Sequence, residues 1–362
     1  MPAPSGDPGH ELERAEASLA RSRRELGDDH FETITIAYAV AAGLRRDGRF
    51  GAAASLGEEF AERSRRLHGE EHPVTLTFVS SLAMDLSNLG RHDEAARLES
   101  ATFERRRRVL GPDHRDTLNS ANNLAAYLTW LGQHEQARDL DEDTLERCRR
   151  TLGPEHSDTL NSAGNLAADL RRLGEHKQAA LLDHETLERR LAALGPDHPD
   201  TLRSSANLAA DLRGLGEHDT ALGFDQDTFA RRRHALGDDH PDTLSSAADL
   251  AADLRGLHDH EQAGRLEEEI LSRRRRILGE DHPDTLHTAA LLAADLRAVG
   301  HDEPARRLEQ DIEARRQRLA GPVAAAPEEP EPSPPRPGTV PVRRPRQSRG
   351  WRERTGDVVG RG

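Results

Sequence analysis

A single residue pattern returns every 42 positions along this chain. His30, His72, His114, His156, His198, His240 and His282 share that spacing. So do Thr33, Thr75, Thr117, Thr159, Thr201, Thr243 and Thr285, and the columns that begin at Ala53 and Arg63. Seven copies in register, with no insertion between them, require one small unit built seven times. Such a unit cannot bury an apolar face alone and must stack on its neighbours.

The unit between Asp116 and Gly153 shows what is stacked. Leu118, Leu124, Leu128 and Leu131 have helical spacing, which predicts a first helix from about Asp116 to Leu131. Gly132 stops it, since glycine tolerates the left-handed backbone at a helix end. Ala137, Leu140, Leu145 and Leu152 mark a second helix. Arg149 and Arg150 suit the negative end of its dipole, and Gly153-Pro154 breaks it. Only 3% of the residues are aromatic, while Leu and Ala are abundant, a composition that favours close-packed helices over sheet.

The reading is an all-α solenoid, a right-handed superhelix of antiparallel helix pairs. Residues 1–9 are expected to be disordered and residues 10–30 to form a leading half-repeat. Residues 31–320 hold the seven helix pairs, and the Pro- and Arg-rich stretch 321–362 is expected to be a disordered tail. Terminal units should be atypical. Gly43 and Asp47 interrupt the first, and Pro304 falls early in the last second helix, where proline is tolerated. His258 stands where other units have Gly132, Gly174 and Gly216, which predicts a weaker helix stop.

The residues Asn122-Asn123-Leu124-Ala125, Leu131-Gly132, Ala137 and Leu152-Gly153-Pro154-Glu155-His156 resemble the tetratricopeptide repeat of the kinesin light chain type. The loop Leu194-Gly195-Pro196-Asp197-His198-Pro199-Asp200 matches that pattern best. The resemblance covers about residues 31 to 320 and implies a scaffold that holds a protein ligand in a concave groove lined by first helices. No heptad seam precedes the repeats, so a motor role is not implied. Similar repeats also serve as sensor arms of signalling NTPases. Here the phosphate loop is lacking, so that role would need a separate chain. One departure is His134, His176 and His218, where the family pattern has tyrosine; looser hairpins are expected there.

Several functions are disfavoured. Cys148 is the sole cysteine, so no intrachain disulfide forms and a reducing compartment fits. No signal peptide or membrane span is read, which points to the cytoplasm. The tail carries eight arginines against five acids, which places the preceding residues at −17 within a whole-chain charge of −14. That field repels nucleic acid, and arginine runs such as Arg105–Arg108 read as solvated or salt-bridged helix ends. The histidines recur one unit apart and do not converge on a metal; they read as helix caps. No feature occurs once in the manner of a nucleophile, and Cys148, in a column of arginines, looks incidental. No enzyme activity and no cofactor are expected.

The expected site is the groove. Asn123, Tyr127 and Trp130 each precede a core leucine, so they form a stripe beside the core stripe. Asn119, Asn161, Asn165 and Asn207 extend a row of carboxamides able to hydrogen-bond a peptide backbone. Asp169, Asp211, Asp249, Asp253 and Asp295, with Asp85, form a carboxylate row expected to select basic side chains. The predicted function is an adaptor binding a peptide or partner helix; the alternative is the sensor arm of a separate signalling NTPase. Arg343, Arg344, Arg346, Arg349 and Arg352 surround Trp351 in the tail. A passive tail is the favoured reading, and docking of these residues into the chain's own groove is the alternative.

Overall fold

The computed structural model describes residues 8–320. The disorder expected of residues 321–362, with Arg343, Arg344, Arg346, Arg349, Trp351 and Arg352, lies outside the described residues, as do residues 1–7. Two units are distinguished, Met1–Arg316 and Gln317–Gly362, and the first carries the repeats.

Among the described residues there are fifteen helices and no strand. A leading helix α1 (Pro8–Leu26) is followed by first and second helices in alternation: α2 (Phe31–Arg46), α3 (Phe50–His68), α4 (Pro73–Asn88), α5 (His92–Val109), α6 (Arg115–Trp130), α7 (His134–Thr151) and α8 (Ser157–Arg172). The series continues with α9 (His176–Leu194), α10 (Pro199–Gly214), α11 (His218–Leu236), α12 (Pro241–Gly256), α13 (His260–Leu278), α14 (Pro283–Ala298) and α15 (Asp302–Ala320).

The recurring columns have mechanical roles. Each histidine of the His30–His282 series is the N-cap of a first helix. Its Nδ1 accepts the backbone N–H two residues on, at 3.1–3.3 Å. A free donor at the helix start is thereby satisfied. The threonine three residues later is buried, and in the first four units its hydroxyl donates to the carbonyl of the preceding loop glycine. The alanines from Ala53 to Ala305 are fully buried, where a larger side chain would force the helices apart. Pro73, Pro199, Pro241 and Pro283 open first helices, where no N–H is needed.

Two expectations change. Gly43 does not interrupt α2. It lies inside the helix, and a Cβ there would come 2.9 Å from Leu12 Cδ1, so the missing side chain lets α1 dock. His258 does not weaken its helix stop. The chain end there closes with the same bonds as at Gly216, His258 N–H to Arg255 O at 3.0 Å and Asp259 N–H to Leu254 O at 2.9 Å. The cost appears instead as strain: among the described residues, His258 is the one non-glycine with positive φ, at 63°.

Apolar packing is spread over several clusters strung along the stack, as nearest-neighbour assembly requires. Each second helix from α3 to α13 packs on the first helices before and after it. Neighbouring first helices from α4 to α12 also touch one another. The first helices therefore form the tighter inner layer.

Candidate functional site

The inner layer presents the predicted stripe, but its residues do not all face solvent. Asn119, Asn161 and Asn165 are exposed, Asn123 and Asn207 are half-buried, and Asp249 is partly exposed. Asn161 is already engaged: its Oδ1 accepts from Arg190 at 2.8 Å and, more loosely, from Arg203 at 3.4 Å. Asn123 lies near the buried Glu99 and favours its charged form. Tyr127 is buried and packs beside Ala83, Leu86 and Leu124, so it belongs to the core and not to the groove.

The carboxylate row is a larger correction. Asp85, Asp169, Asp211, Asp253 and Asp295 are all buried, at 0–2% exposure. Most are held by an arginine of the preceding first helix. Arg171 places Nε 2.5 Å from Asp211 and donates from Nη2 to Asp183 on α9 at 2.7 Å. Its Nη2 also donates to the Asn207 carbonyl at 3.1 Å. Arg213 repeats this with Asp253 (2.6 Å), Asp225 (2.5 Å) and the Asp249 carbonyl (3.3 Å). Arg255 binds Asp295 at 3.1 Å and Glu267 at 2.7 Å, and Arg45 binds Asp85. A guanidinium suits such a position because its planar N–H groups reach several oxygens at once. Asp85, Asp211, Asp253 and Asp295, each held by an arginine, are structural glue and do not await a ligand.

The arginine runs also divide. Arg147, Arg231, Arg273 and Arg315 form the expected ion pairs with acids of the previous loop and of their own helix. Arg106 and Arg190, however, are buried. Each donates to a serine and a carbonyl at the start of the next first helix. Cys148 occupies that column, fully buried, with Sγ 3.7 Å from Ser162 Oγ.

Histidine opens α5, α7, α9, α11 and α13, and the rings of His176 and His218 pack against the first helix of the following unit. A Cβ on Gly214 would overlap the His176 ring, and one on Gly256 would overlap the His218 ring. The glycines admit the rings. At the equivalent place on α6 stands Trp130, 70% exposed, its ring stacked on His92 at 5.2 Å between centroids and 5° between planes.

The arginine ladder has one break where both acids remain. Thr129 occupies the arginine position, with its Oγ1 2.8 Å from Asp169 Oδ1 and 3.0 Å from Ala125 O. Asp141 and Asp169 border a pocket of about 260 Å³ there, together with Trp130, Asn165 and Arg172. Burial, reinforced by the charge of Asp169, raises the Asp141 carboxyl to about 8. Burial also raises Asp169, opposed by the Thr129 hydroxyl.

Known proteins share this architecture. Models described as tetratricopeptide repeat match residues 116–190, 204–274 and 246–318, and a second such model matches 33–74 and 75–116. No curated protein matches the chain. Nearly identical TPR-like repeats assigned to a kinesin light chain of Podospora anserina are 25% identical. They cover 56% of this chain and 96% of that one, with a TM-score of 0.52. BtubC (BKLC) from P. vanneervenii is 19% identical, covering 64% of this chain and 94% of its own, with a TM-score of 0.55. A STAND protein with a tetratricopeptide repeat sensor from Pyrococcus horikoshii is 14% identical, over 85% and 47% respectively, with a TM-score of 0.57. No helix among the described residues is long and apolar enough to cross a membrane.

Proposed function

The chain belongs to the tetratricopeptide repeat family, and on that premise we propose that it is a cytoplasmic adaptor whose first-helix face captures an extended peptide of a partner protein. The observation that carries this reading is the chemistry left exposed on the inner layer. Asn119 and Asn165 offer carboxamides, which both donate and accept, along two successive first helices. Trp130, the last residue of α6, adds an exposed aromatic anchor of the kind that dominates binding faces. Asn123, Asn207 and Asp249 continue the face on either side. Asn161 has a lesser part, because its oxygen is taken by Arg190.

Selection of basic ligands, expected of the whole carboxylate row, falls to far fewer groups. Asp211, Asp253 and Asp295 are neutralised within the chain. Asp249, with a side chain 40% exposed and only a loose pairing to Arg213 at 3.7 Å, and the pocket beside Thr129 are what remain.

A displayed random-peptide library, panned on the full chain, tests the reading. The expected result is a family of peptides whose binding is lost in an Asn119→Ala, Trp130→Ala, Asn165→Ala variant that keeps its helical spectrum. Selected peptides that bind this variant unchanged overturn it. The sensor-arm alternative predicts instead that a phosphate-loop NTPase binds the chain more tightly than any peptide does.

A further inference from the structure

We infer that the pocket beside Thr129 is a receptor for a guanidinium group, the side chain of an arginine presented by the bound peptide. The inference deepens the peptide-capture reading and rests on it for the source of the arginine, though not for the chemistry of the pocket.

The chain's own repetition supplies the template. In three successive units a guanidinium occupies one place. It lies between an acid twelve residues on and an acid forty residues on, and in two of the units it also meets a carbonyl thirty-six residues on, as for Arg171 with Asp183, Asp211 and Asn207. Arg213 and Arg255 keep the same two acid contacts. Counting from Thr129, the corresponding residues are Asp141, Asp169 and Asn165, and all three line the pocket. The site thus retains its acids and lacks only its cation.

The other irregular units differ. Ser87 also lacks the arginine, but there the distal acid is replaced by Tyr127, which leaves Glu99 as a single acid whose Oε1 accepts from Ser80. Arg45 keeps its distal partner Asp85, while Gly57 stands in place of the near acid. The unit of Thr129 alone holds both carboxyls without a guanidinium.

A second observation points to a ligand. Asp141 is 2% exposed and lines the pocket, and its Oδ1 is buried with no hydrogen-bond partner; Oδ1 of Asp183 and Asp225 is likewise unpartnered, but no arginine reaches either oxygen of Asp141. The equivalent Asp183 and Asp225 each spend one oxygen on an arginine. Thr129 answers only Asp169, and Arg172 stands at the rim with Nη1 3.9 Å from Asp169 Oδ1, beyond hydrogen-bond reach. His134 lies close enough to act on Asp169 electrostatically, but its own buried Nδ1 has no partner. Trp130, 70% exposed and with one ring face stacked on His92, also lines the pocket and offers an aromatic surface to an entering cation. Planar N–H donors aimed at two carboxylates and a carbonyl favour guanidinium over ammonium.

The test uses the full chain carrying Trp351→Phe, so that Trp130 is its only tryptophan. It is titrated with N-acetyl-arginine methylamide, with the lysine analogue and with the neutral, isosteric citrulline analogue, following tryptophan emission and heat. The arginine probe is expected to saturate, with the citrulline probe about tenfold or more weaker, as loss of a charge-assisted bond to a buried carboxylate requires. Thr129→Arg, which supplies the missing guanidinium from within, should abolish binding. Asp141→Asn should weaken it by about tenfold. Equal binding of the citrulline probe, or unchanged binding in Thr129→Arg with intact helicity, overturns the inference. If Thr129→Arg fails to fold, the near-isosteric Asp141→Asn decides. Absent probe binding with peptide capture retained removes only this inference; probe binding without peptide capture removes only the reading above.

Discussion

Replacing Arg213 by methionine should cost about 3–5 kcal/mol of stability, the range for removing one partner of a buried ion pair. The guanidinium bonds Asp253 at 2.6 Å, Asp225 at 2.5 Å and the Asp249 carbonyl at 3.3 Å. Both aspartates are fully buried, and Asp253 Oδ2 and Asp225 Oδ1 already lack partners, so no other donor stands ready. Without the cation, two carboxylates face each other out of water, and one must take up a proton. The aliphatic stem of Arg213 is replaced by methionine of similar reach, which confines the change to the charge. Burial raises the Asp225 carboxyl in the intact chain against the opposing pull of Arg213, and removing the cation raises it further. An acid whose folded pKa is raised binds its proton more tightly in the folded state. Its penalty is therefore absent below the ordinary carboxyl value and grows as pH rises toward the raised one. Guanidinium denaturation followed by circular dichroism should show the deficit at pH 7.5 and a smaller one at pH 5. If the array unfolds stepwise, the first step carries the loss. A deficit below about 1 kcal/mol, the size of an exposed pair, with no dependence on pH would refute the glue role assigned to these arginines.

Other outcomes follow from the same geometry. Asp141→Asn should stabilise the ligand-free chain at pH 8 more than at pH 5, because it removes a carboxyl raised to about 8 by burial and by Asp169; thermal melts at the two pH values check this. His258→Gly should raise stability by about 1 kcal/mol through relief of the left-handed backbone at φ 63°, read from the denaturation midpoint. Gly256→Ala should cost about 1–3 kcal/mol, because its Cβ would overlap the His218 ring; His218→Ala in the same chain should recover most of the loss in a double-mutant cycle.

Much of the fold was legible because the 42-residue rhythm repeats every local signal seven times. Histidine at the start of each first helix, glycine at every stop but that of His258 and the helical leucines do what their spacing predicts. The burial of Asp169, Asp211 and Asp253 was not legible from a single helix, since on a helical wheel they lie at the edge of the core stripe. Their partners sit forty residues earlier, in another unit. A signal was present nonetheless: Arg171, Arg213 and Arg255 keep the same period as Asp183, Asp225 and Glu267, and complementary columns at fixed offsets imply pairing across the stack. Thr129 then stands out as the position where the acids persist and the arginine does not. Gly43 misled for a related reason. A glycine that breaks a helix and one that admits a neighbour look alike until Leu12 is placed against it.

Site-specific photo-crosslinking bears most directly on the inner layer as the partner's seat. A photoreactive residue is placed at Asn165 on α8 or at Glu188 on α9, both exposed. A selected peptide should be captured from position 165 and not from 188. Capture from 188 alone, or equally from both, would contradict a seat on the first helices.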